Sequence, residues 1–91
     1  MKAYLISFWQ EDVFEDALAS YLDTRPEVLN WLVLMPNTLC VVATRNAKSI
    51  TRLIEKKFPD SLFIVAEYDP HNSDGLLPEE AWEFLNNPEK A

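Results

Sequence analysis

The chain has 91 residues, 48% of them apolar and 25% charged, with 8 Lys and Arg against 15 Asp and Glu. That length supports one hydrophobic core and not two, and the composition is too apolar for a disordered chain. A net charge of −7 disfavours a phosphate backbone as ligand, and the lone Cys40 rules out an internal disulfide. A zinc site would have to combine Cys40 and His71 with carboxylates, so no metal or cofactor is expected.

Residues 3–9 (AYLISFW) predict a first strand, with Tyr4, Ile6 and Phe8 on one face and Ala3, Leu5, Ser7 and Trp9 on the other. Apolar groups on both faces suit a central strand covered at least partly on each side. Gln10, Glu11 and Asp12 then open a helix, where acids suit the positive end of the helix dipole. Val13, Phe14, Ala17, Leu18, Tyr21 and Leu22 recur at helical spacing, and Thr24-Arg25-Pro26 ends the segment.

Trp31–Met35 predicts the second strand and Leu39–Thr44 the third. Pro36-Asn37-Thr38 between them is turn chemistry, so the two pair as an antiparallel hairpin. Asn46 is a good N-cap for a second helix, whose apolar stripe is Ala47, Ile50, Leu53, Ile54 and Phe58, with Lys56 and Lys57 in the last turn. A fourth strand runs from Leu62 through Ala66 to Tyr68. After the loop 69–75, which holds the only Gly, Pro78 starts a short helix bearing Ala81, Trp82 and Leu85, and residues 86–91 are expected to fray.

The order strand, helix, strand, strand, helix, strand is the ferredoxin-like split βαβ pattern, an α+β class. One domain over 1–91 is expected, with a core of about 2–69 and a tail of 70–91. Right-handed crossovers put both main helices on one face of a four-stranded antiparallel sheet. The other face must be solvated, covered by the tail or covered by a partner. Residues 3–9 are too short and too interrupted for a signal peptide, and no run reaches the ~18–20 residues of a membrane span, so a cytoplasmic protein is expected.

Several short motifs carry a family resemblance. YLIS in the first strand, WLV in the second, AKSITRLIEKKF ahead of LFIVAE, and EAWEFL near the end together resemble SinR-like proteins. That group is a branch of the superfamily of the small CRISPR adaptation protein and the VapD toxins. The resemblance implies a ferredoxin-like fold and a two-fold dimer in which sheets associate and tails reach across. It also implies an Asp just after the first strand as a metal ligand in nuclease-like members. The matching position here is Trp9, and Trp cannot supply the oxygen that Mg²⁺ demands.

The remaining candidates divide by their surroundings. Glu11, Asp12, Glu15 and Asp16 form a solvated helix face, or else a displaced metal site. His71 sits in an acidic loop with Asp69 and Asp74 but has no evident nucleophile, and Cys40 reads as a packed core residue. Lys48, Arg52 and Lys56 share one helix face, either a phosphate-facing stripe or a solvated face pairing with acids. Residues 45–57 carry +4 while 60–91 carry −7. Trp82, Phe84 and Leu85 in the tail, with Trp9, are the interface candidates, because aromatic anchors dominate interface energetics.

The expected function is a non-catalytic protein-interaction module that forms a homodimer, with no catalytic residues. The alternative is an acidic inhibitor or immunity-type protein that captures a basic nucleic-acid-processing enzyme. A Mg²⁺-dependent nuclease ranks behind both, and neither nucleic acid nor membrane is an expected partner.

Overall fold

The expected elements follow one another in the computed structural model, which describes residues 1–9, 11, 13 and 15–90, the side chain of Lys90 excepted. They are β1 (Lys2–Phe8), α1 (Glu15–Asp23), β2 (Val28–Met35), β3 (Thr38–Ala43), α2 (Ala47–Lys57), β4 (Phe63–Glu67) and α3 (Glu79–Asn86). The segment expected to fray closes in a 3₁₀ turn over Pro88–Lys90. Gln10, Asp12, Phe14 and Ala91 lie outside the described residues.

The strands form one sheet in the order β2-β3-β1-β4, every neighbouring pair antiparallel. This is the ferredoxin-like topology. β1 is central, as its two apolar faces require: Tyr4, Ile6 and Phe8 join Leu18 and Leu22 of α1 and Ile50 and Ile54 of α2 in the main cluster. Both helices therefore cover one face. Ala17, placed on the apolar stripe of α1 by spacing, is exposed, and Ala19 is buried instead.

Several boundaries differ from expectation: β1 runs over Lys2–Phe8 and so excludes Trp9, and β4 runs over Phe63–Glu67 and so excludes Leu62 and Tyr68. β2 starts at Val28, three residues ahead of Trp31, because register shifts between Val28 and Asn30 and between Val33 and Met35 break the alternation by which a strand is read. β3 begins and ends one residue earlier than its apolar run, with Thr38 already paired to Met35. Helical structure in α1 starts at Glu15; ahead of it, the Val13 amide donates to the Trp9 carbonyl at 3.2 Å and the Val13 side chain is buried.

The second helix is tied at its start. The Asn46 carboxamide oxygen accepts from the Ser49 amide at 2.9 Å, and the Tyr4 hydroxyl donates to the Arg45 carbonyl at 2.7 Å. Asn46→Ala leaves that first-turn donor without its cap and should cost about 1 kcal/mol. For a domain of this size, a thermal melt should then show a midpoint roughly 4–8 °C lower. A drop under a degree would mean that the cap does not hold in solution.

The opposite sheet face carries the tail. Ala3, Cys40 and Val42 from the sheet pack with Tyr68 and Leu85, flanked by Leu5, Leu32, Leu34, Leu77, Trp82 and Phe84. The Tyr68 hydroxyl donates to the Asn86 side chain at 2.9 Å and pins the end of α3. Of the three coverings open to this face, the chain's own tail takes β1, β3 and β2.

Candidate interaction surface

The tail stops short of β4. No β4 residue belongs to the tail-side cluster, and on that face Ile64 and Ala66 remain exposed, Ile64 at 64%. The pairing shows what lies beside them. Ser7 stands between Thr38 and Ile64, with Met35 beyond Thr38, so one row crosses the sheet with exposed Met35 and Ile64 at its ends and half-buried Thr38 and Ser7 between them. In the next row the Trp9 amide donates to the Leu62 carbonyl at 3.0 Å. Trp9 is 55% exposed and Leu62 is exposed as well. Isolated exposed apolar side chains are ordinary; a run of them along one margin is informative.

Between this row and the tail lies a groove of about 250 Å³, lined by Leu5, Leu34, Thr38, Leu77, Trp82 and Leu85 among others. Leu76, fully exposed, stands at its lip.

The two sheet edges differ. β2 carries two register shifts, and Asn30 within it turns its side-chain oxygen onto the Trp31 amide at 2.9 Å. Such irregularities twist an edge away from further pairing. β4 pairs with β1 without a register break and contains no Pro, Gly or Lys. Its one charge, Glu67, already faces Lys2 at 3.3 Å. Both partners of that pair are more than half exposed, so it adds little stability. β4 is thus a regular apolar edge without the usual guards.

The other sequence candidates fall elsewhere. Of the four proposed interface residues, Leu85 is buried and Trp82 and Phe84 are half-buried within the chain's own tail-side cluster, which leaves Trp9 as the one substantially exposed. Lys48, Arg52 and Lys56 are exposed, and among the described residues no carboxylate lies within 4.0 Å of them. The hollow of about 230 Å³ beside them holds Glu27 together with Arg45 and Arg52, and that carboxylate opposes an anion there.

His71 is exposed; its backbone amide, not its ring, bonds the Asp69 carboxylate at 2.9 Å in a local turn. Cys40 is fully buried with its Sγ 3.5 Å from the Leu32 carbonyl, and burial pushes the thiol up to about 12. Among the described residues no three His, Cys, Asp or Glu side chains are grouped to hold a metal; Asp12 lies outside that set. No helix among the described residues is long and apolar enough to cross a membrane. The β4 margin escaped sequence reading, since Phe63–Glu67 looks like any half-buried strand until the reach of the tail is known.

The topology defines an α+β ferredoxin-like domain with its second sheet face closed by its own tail. No protein-family model, curated protein or solved structure matches the chain.

Proposed function

We propose that this protein is a non-catalytic interaction module that binds protein by strand addition along β4. The observation that carries this reading is the regular, unguarded β4 edge, bordered on the bare face by exposed Ile64 and Trp9. Strand addition draws affinity from main-chain hydrogen bonds and specificity from alternate side chains beside the edge. β4 offers both, with Ile64 and Trp9 as apolar contacts. The resemblance to SinR-like proteins, which implies association through the sheets, points the same way.

The test is site-specific photo-crosslinking in cells. A photoreactive residue in place of Ile64 should give a discrete protein adduct, whereas one in place of Arg52, exposed on the helix layer, should give none. Absence of any adduct from position 64 would overturn the reading.

A further inference from the structure

The helix layer holds a hollow of about 230 Å³, lined by Glu27, Arg45, Ser49, Ile50, Arg52 and Leu53. Three parts of the chain meet there. Pairing of Val28 with Ala43 brings Glu27, just ahead of β2, alongside the connection that leaves β3. That connection carries Arg45, and its backbone is fixed by the Tyr4 hydroxyl on the Arg45 carbonyl and by the Asn46 cap. Ser49, Arg52 and Leu53 stand at i, i+3 and i+4 on α2 and so share one side of it.

Charges of both signs line this hollow without meeting. Glu27 is half-buried, and its Oε1 is buried and accepts no hydrogen bond. The one ion pair among the described residues joins Lys2 and Glu67, so both guanidinium groups stand more than 4.0 Å from the Glu27 carboxylate. Among those residues, neither guanidinium nor the Ser49 hydroxyl makes a hydrogen bond. A carboxylate oxygen taken out of water without a donor is costly, and it calls for a partner.

We infer that this hollow binds a small zwitterion of the α-amino acid class, with its ammonium on Glu27 and its carboxylate on Arg45 or Arg52. The lining selects that occupant. A simple anion meets the Glu27 carboxylate, a simple cation meets two arginines, and an apolar molecule leaves all three charges unanswered. A molecule with an ammonium beside a carboxylate answers both signs at once. Its ammonium donates to Oε1, and its carboxylate accepts from a guanidinium fork. The three charged side chains sum to +1, so an amino acid with a second carboxylate engages the second arginine too. The hollow is smaller than the pockets of roughly 300–1,000 Å³ that hold drug-sized ligands, which suits a molecule of this size. Arg45, Ser49 and Arg52 are exposed and stay partly hydrated, so the affinity is modest, on the order of 1 mM.

The test is amide-resolved NMR of the full chain, titrated with L-glutamate to about 20 mM at constant ionic strength. Saturable shifts should centre on residues 27, 45, 49 and 52, with the β4 amides unchanged. Glutarate, the same molecule without the ammonium, should bind at least tenfold more weakly. Glu27→Gln should abolish the preference for glutamate over glutarate. Arg52→Ala, at an exposed helix position that leaves the fold intact, should weaken glutamate binding roughly tenfold. Shifts that do not saturate, or that centre elsewhere, overturn the inference. Equal binding of glutarate overturns it as well, since the hollow would then take an anion alone.

Discussion

Leu85→Ala should cost about 3 kcal/mol, a large share of the total stability expected for a 91-residue domain. Leu85 is 2% exposed and is the deepest large tail side chain in the cluster with Ala3, Cys40, Val42 and Tyr68. Truncating it leaves a cavity that α3, held beyond it by Tyr68 and Asn86, cannot fill by collapsing. The tail should then detach before the rest of the domain unfolds. In a urea titration the Trp82 environment should change first. Trp31, whose indole donates to Asp23 at 2.9 Å across the other layer, should change at a higher concentration. Single-Trp variants separate the two signals. A loss under 1 kcal/mol with one shared transition would mean that the tail is not docked in solution.

The second large effect concerns Cys40. Fully buried in β3 beneath the docked tail, the thiol is out of reach of a reagent until the tail lifts or the domain unfolds. Its labelling by an aromatic disulfide at pH 8 should be slower in the native protein than in urea by roughly a thousandfold or more, the factor set by the least costly opening that uncovers it. Burial holds the thiol protonated, with a pKa raised to about 12. The unfolded chain ionises it in the ordinary range near 8.5, so the sign follows: its contribution to stability is complete below that range and is lost as pH climbs toward 12. A Cys40→Ala variant should therefore show a shallower alkaline decline in stability than the native chain. Rapid labelling of the folded protein would contradict the packing described for β3.

The fold was legible because each element carries its own signal. The Ile50 and Ile54 stripe, the Asn46 cap and the Pro36-Asn37-Thr38 turn act locally, and the hydrogen bonds follow them. The start of β2 was hidden because its register shifts break the period of two. The fate of Trp82, Phe84 and Leu85 could not be read from spacing, since the same apolar pattern serves a chain's own sheet or another chain's. What decides between them is the path of the loop 69–78, which brings α3 back over β1 and β3. The β4 margin is invisible for a related reason: Ile64 is exposed because the tail ends its footprint one strand earlier. A tertiary boundary of this kind has no local residue code.

The central place of β1 also sets a timetable for synthesis. The strand that joins both clusters leaves the ribosome ahead of its two sheet neighbours, β3 and β4, which begin at residues 38 and 63. Until then Tyr4, Ile6 and Phe8 have no sheet to join, and the β2–β3 hairpin, closed by a short turn, is the earliest pairing open to the growing chain. β4 then completes the sheet across a span of more than fifty residues, and the tail seals its second face last. β1 thus waits as an unshielded apolar strand for most of the domain's synthesis, so the growing chain is exposed to non-native association until its last sheet partner and the tail are in place.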